Sequence, residues 1–108
     1  MGQKSRNKGK VGERDLARRL RDYGYDAHRG VQYHGGEDSP DVVGLPGIHI
    51  ECKRTESFRM WDALAQAAHD AGGNIPVVMH RKNNTQWVVV MTLDDFMRIY
   101  PTWEATNG

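Results

Sequence analysis

Two short β-branched runs, 40–45 (PDVVGL) and 48–54 (IHIECKR), meet at Pro46-Gly47, and no other feature limits the fold of this chain so narrowly. A Pro-Gly dipeptide between extended segments closes a tight turn, so the two runs should pair as an antiparallel hairpin. Alternation along the second run places Ile48, Ile50 and Cys52 on one face and His49, Glu51 and Lys53 on the other.

Helical patterns flank this hairpin. Leu16, Ala17, Leu20 and Tyr23 fall on one face of a helix that begins near Gly12 and stops at Gly24. Glu13 shares that apolar stripe, either as a carboxylate turned inward or as a first-turn partner of the helix dipole. Residues 25–31 read as a strand and 32–39 as a loop with two glycines. Trp61, Leu64, Ala65 and Ala68 give a second helix over 58–71, and runs 75–80 and 86–92 form a second hairpin around 81–85. Thr92 with Asp95 makes a capping pair for a last helix carrying Leu93, Phe96, Met97 and Tyr100, which Pro101 should end. The three tryptophans are expected in the core. The order is α-β-β-β-α-β-β-α, an α/β fold with a mixed β-sheet flanked by helices on both sides. Residues 1–10 read as a flexible basic arm, 11–103 as one domain, and 104–108 as a loose tail.

Composition narrows the function. A length of 108 residues leaves room for one domain, which rules out a two-domain enzyme. The longest apolar run is Trp87 to Met91, far short of the roughly 18–20 residues of a membrane span, so a soluble, cytoplasmic protein is expected. Cys52 is the one cysteine, and no HxxxH pair occurs, which argues against structural zinc and fits a reducing compartment. Residues 1–30 carry nine Lys/Arg against four acids, whereas 31–108 carry six against ten. A basic front end suits a polyanionic partner, nucleic acid foremost, with a merely solvated tail as the plain alternative.

The chemistry sits in the first hairpin. Pairing across Pro46-Gly47 brings Asp41 and Glu51 to one region of the sheet, where two carboxylates repel. In a cleft the remedy is a shared proton or a hard divalent cation, and oxygen ligands of this kind suit Mg²⁺ or Mn²⁺. Lys53 follows Glu51 on the same face, about 6.6–6.8 Å along the strand, within reach of a water or phosphate at that cation. Among carboxylates it should stay protonated and act by its charge. The competing reading is an exposed Glu51–Lys53 ion pair with Asp41 as a turn residue. His49 reads as a hydrogen-bonding or packing neighbour. Cys52 reads as a small buried hydrophobe whose backbone carbonyl is available to a metal.

The segments GKVGERDLARRLRDYGY, SPDVVGLPG and IHIECKR resemble the PD-(D/E)XK nuclease superfamily, and within it the archaeal-type Holliday-junction resolvases and their small phage relatives. The resemblance covers most of residues 8–100. It implies a restriction-endonuclease-like core and one metal-dependent active site formed by Glu13, Asp41, Glu51 and Lys53. Asp41 and Glu51 would be ligands of Mg²⁺ or Mn²⁺, and Glu13 a further ligand, direct or through water. Ser39 and Gln66 are candidates for a loop serine and a helix glutamine found in branches of the superfamily. The implied activity is endonucleolytic hydrolysis of branched or structured DNA to a 5′-phosphate and a 3′-hydroxyl. The active form would be a homodimer, with no small-molecule cofactor, in a prokaryotic or phage-infected cell. Lys4, Arg6, Lys8, Lys10, Arg29, Arg54, Arg81 and Lys82 are the candidate DNA contacts, with a solvated turn as the alternative for the last two. Flap, single-strand and restriction-like nucleases stay open, as does a non-catalytic nucleic-acid-binding module.

Overall fold

The computed structural model describes residues 2–30 and 39–108, with side chains from residue 9 onward. Its elements are α1 (Gly2–Asp22), β1 (His28–Arg29), β2 (Val42–Val43), β3 (Ile48–Arg54), α2 (Met60–Asp70), β4 (Ile75–Arg81), β5 (Val88–Val90) and α3 (Leu93–Asn107). That is the expected α/β order. The five strands form one sheet in the order β1-β2-β3-β4-β5, antiparallel except for β3 and β4. Parallel neighbours need a long connection, and α2 supplies it.

Helices cover both faces. On one, Leu16 and Ala17 of α1 pack against Val42, Ile50, Val77 and Met79. On the other, Ala63, Leu64 and Ala67 of α2 pack against Val78. Each of the larger aliphatic side chains so buried contributes about 1.5–3 kcal/mol relative to exposure. α1 comes close because Gly12 lies on Arg54 of β3, where any β-carbon would strike the Arg54 stem. The β2–β3 hairpin forms as the Pro46-Gly47 turn requires, with Val42 opposite Ile50. Beyond that position β3 runs on to Arg54 with no ladder partner in β2.

Several expectations need correction. Residues 2–10, read as an arm, are the leading turns of α1. The segment holds no proline, and a helix anchored by its packed second half extends without a new nucleation step. Glu13 therefore sits in mid-helix rather than in a first turn, which removes the dipole reading. The buried stripe of α2 is Ala63, Leu64 and Ala67, with Met60 beside it, so Ala65, Ala68 and Trp61 face solvent. Alanine satisfies either phase, and close approach to β4 selects the phase that puts two alanines underneath. Trp61 and Trp103 are exposed, leaving Trp87 as the tryptophan packed on the core. Tyr23 lies outside, beneath the Arg19 guanidinium.

The end of the chain differs as well. Thr92 caps α3 as expected, accepting from the Asp95 amide. Yet α3 passes through Pro101 to Asn107, so residues 104–107 are helical. Proline removes one helical hydrogen bond, and the turns beyond it close on their own, with the Gly108 amide donating to the Glu104 carbonyl at 2.7 Å. Phe96 and Met97 of this helix stay about half exposed at 45% and 49%.

Candidate active site

Asp41 stands where β2 and β3 part. Its amide donates to the Ile50 carbonyl at 2.9 Å, its carbonyl accepts from Gly30 at 2.8 Å, and its Oδ2 accepts from the Cys52 amide at 2.8 Å. Two neighbouring segments, β3 and the residue after β1, thus hold the Asp41 backbone, and the Cys52 amide fixes its carboxyl group. The close approach of Gly30 to Pro40 and Asp41 is possible only without a side chain, since a β-carbon there would overlap the Pro40 carbonyl.

Glu51 is the next residue inward on β3 and is buried at 4% exposure. Strand alternation turns it toward the α2 face. There His49 Nε2 lies 3.0 Å from Glu51 Oε1, and Asp70, the last residue of α2, approaches from above. The ligand atoms of His49, Glu51 and Asp70 all lie within 4.8 Å of one another. Glu51 is also the neighbour of Asp41, so three carboxyl groups stand in a row with Glu51 in the middle.

The electrostatics follow from that row. Burial raises the Asp41 carboxyl to about 6, the Cys52 amide opposes the rise, and the Glu51 charge adds to it. Burial likewise raises Glu51, with the negative charge of Asp70 adding to the effect and Lys53 opposing it. Glu13 is raised by burial against the lowering contact with Arg29, whose Nε donates to Glu13 Oε1 at 2.9 Å. Asp41 lies near enough to Glu13 to raise it further. The Cys52 thiol is pushed up by burial and by Asp41, which leaves it an inert, partly buried apolar group packed on the core.

The four residues expected in one site, Glu13, Asp41, Glu51 and Lys53, are therefore electrostatic neighbours, with Asp41 at the centre. Lys53 and Gln66 line a cavity of about 250 Å³ together with Ser57, Arg59 and Asp62. Ser39 is half-buried one residue ahead of Pro40, and its side chain makes no hydrogen bond among the described residues. Of the basic residues, Arg29 is held by Glu13, while Arg54 reaches Asn83 Oδ1 at 2.8 Å and Arg81 reaches Asp15 at 3.0 Å. Lys10 and Lys82 are exposed. Lys4, Arg6 and Lys8 lie on α1, but their side chains are outside the described residues.

Two members escape a reading of the sequence. Asp70 continues the buried stripe of Ala63 and Ala67 at helical spacing, the same signal that marked Glu13 on α1. The signal is hidden because Ala65 and Ala68 point to a different phase of α2. His49, expected to be a neighbour rather than a ligand, carries a ring nitrogen that completes the group with Glu51 and Asp70. Carboxyl groups gathered this closely form a donor set suited to a hard divalent cation, and an added imidazole nitrogen is also acceptable to Mn²⁺.

No curated protein and no solved structure matches the chain. One family model does, described as "Phage putative PDDEXK endonuclease", and it aligns with residues 4–106. That span takes in α2, every strand of the sheet and all but the outermost ends of α1 and α3, with Asp41, Glu51 and Lys53 at its centre, and the chain belongs to this family of PDDEXK endonucleases.

Proposed function

We propose that the chain is a divalent-metal-dependent endodeoxyribonuclease acting on branched or structured DNA, as Holliday-junction resolvases do. The observation that carries the reading is the junction of Asp41 and Glu51 across β2 and β3 with Lys53 two residues on. Asp41 and Glu51 would hold the metal, joined by the Cys52 carbonyl, with Asp70 or Glu13 reaching it directly or through water. When bound, Mg²⁺ or Mn²⁺ supplies Lewis-acid polarisation of the phosphate and a more acidic water.

The chain's own groups do the remaining work. The Cys52 amide orients Asp41, and His49 orients Glu51. Lys53 places a positive charge where negative charge gathers on a phosphate, an electrostatic contribution worth most in a partly dry cleft. Gln66, on the same cavity wall, offers an amide to a phosphate oxygen or to the attacking water. Ser39, two residues before Asp41, would offer a hydroxyl to the same phosphate.

We further propose that the active form is a homodimer, because paired cuts in a two-fold junction call for two sites. α3 supports this with Phe96, Ile99, Tyr100 and Trp103 lining an open apolar groove. Among the described residues no helix is long and apolar enough to cross a membrane, and cytoplasmic action on DNA is the setting we propose.

The test is incubation with a labelled four-way junction and a matched linear duplex, in Mg²⁺, Mn²⁺ or chelator, with light scattering alongside. Symmetric junction cuts with either metal and none in chelator are expected, from a species of twice the chain mass. Equal cutting of the linear duplex would remove the junction specificity. Absence of cleavage under every metal would leave a binding module.

A further inference from the structure

A second basic feature lies outside the carboxylate site. On α1, Glu13 turns toward Arg29 with the core stripe, whereas Arg14, Arg18 and Arg21 recur at i, i+4 and i+7 on the outer flank. Across from them Arg54 and Arg81 project from the paired C-terminal ends of β3 and β4. Together these five arginines, with Asp15 as the only acid among the described residues, line an open groove of about 500 Å³.

Four of the five guanidinium groups are held in place rather than waving in solvent. Arg21 donates to the Ala27 carbonyl at 2.7 Å, Arg54 to Asn83 Oδ1 at 2.8 Å, and Arg81 to the Thr85 carbonyl at 2.8 Å. Arg18 and Arg81 share Asp15, each at 3.0 Å, while Arg14 has no ion-pair partner among the described residues. Each guanidinium carries five N–H donors in a fixed fork, so these bonds leave most of them unused. A site whose side chains are ordered on folding loses less entropy when it binds. The excess of four positive charges, the fork geometry and the open shape suit a phosphodiester chain running across the groove, whereas a small anion would not need the length.

We propose that this groove binds a stretch of DNA backbone distinct from the one being cut. Lys53 and Arg54 are consecutive on β3 and face opposite sides of the sheet, so one phosphate cannot reach both the carboxylate site and the groove. A second duplex arm of the branched DNA occupies it. The inference rests on the nuclease reading for the identity of the polyanion.

The experiment measures fluorescence anisotropy of a labelled four-way junction in chelator across roughly 50–200 mM salt. It compares the parent with Arg14→Gln/Arg18→Gln and with Arg98→Gln, a single charge loss on α3. The double variant should bind about ten-fold more weakly at physiological salt, with the log–log salt slope shallower by about two, one step for each phosphate that is no longer neutralised. Arg98→Gln should leave the slope as it is. Arg14→Gln alone, which breaks no ion pair, should shift the slope by about one and keeps the test open if loss of Arg18 from Asp15 disturbs folding. Unchanged slopes in both Arg14 variants would overturn the proposal. Cleavage by the parent is followed in parallel with Mg²⁺ or Mn²⁺. A parent that cuts while the variants bind normally removes the groove and spares the nuclease reading. A parent that never cuts while the variants lose binding removes the nuclease reading and retains the groove.

Discussion

Asp41→Asn should abolish metal-dependent cleavage, by roughly 10³-fold or more, and should make the metal-free protein more stable at neutral pH. Both effects come from one charge. The Asp41 carboxyl is raised to about 6 from an ordinary value of 3.8, chiefly by burial and then by Glu51. The native state thus binds this proton more tightly than the unfolded chain does. Its contribution to stability is complete below about pH 4 and is lost as the pH rises through about 6, a difference of about 2–3 kcal/mol by linkage. Glu51 and Glu13 are raised too and act with the same sign. Asparagine keeps an oxygen that can accept from the Cys52 amide while removing the charge. Melting curves in chelator should show the parent losing stability from pH 4 to 7 and the variant staying flatter. Added Mg²⁺ or Mn²⁺ should stabilise the parent above pH 6 and leave the variant unmoved. A variant that melts below the parent at neutral pH without metal, or that still cleaves, would remove Asp41 from the site.

Gly30→Ala should be the most damaging single methyl in the protein. The new β-carbon would overlap the Pro40 carbonyl, and the obstructing atoms are backbone, so no rotamer change relieves the clash. Moving Pro40 and Asp41 away breaks the Gly30–Asp41 bond and strains the Asp41–Ile50 and Asp41–Cys52 bonds. Overpacking of this kind costs about 1–3 kcal/mol, and the lost hydrogen bonds add about 1 kcal/mol each. Urea titration should show a loss of about 2–5 kcal/mol, with metal-dependent stabilisation lost as well. Gly73→Ala is the matched control, since nothing lies within 4 Å of a β-carbon there. Equal midpoints for the two variants would show that the Pro40 segment yields freely and that Asp41 is not held by its surroundings.

What can be read from the chain alone is whatever short-range pattern determines. β3 is legible from Ile48 to Arg54 because alternation and the Pro46-Gly47 turn act within a few residues. Glu13 stands out because a carboxylate on an apolar stripe is an anomaly visible within two helical turns. Asp70 carries the same mark, but the stripe of α2 is largely alanine, and alanine does not reveal which side of a helix is buried. Glu13, Asp41, Glu51 and Asp70 repel one another in a chain of neighbours whose widest sequence gap is from Glu13 to Asp41, a proximity that the packing of α1 and α2 on the sheet imposes. Pro101 misleads for a different reason. A proline penalty is local and finite, and the turns after it are able to close independently.

α3 has no buried residue, and the one hydrogen bond it sends beyond itself and its cap, among those described, runs from Arg98 to the Gly73 carbonyl at 3.1 Å. An isolated helix of 15 residues is marginal in water, so almost nothing couples the opening of α3 to the melting of the sheet. The molecule is therefore graded in free energy. Backbone amides of α3 should exchange with solvent deuterium through frequent local opening, whereas those of β3 and β4 should wait for global unfolding. A second copy seated on Phe96, Tyr100 and Trp103, as proposed, would subject that local equilibrium to mass action, so that protection of α3 should climb with protein concentration while protection of the central strands barely moves.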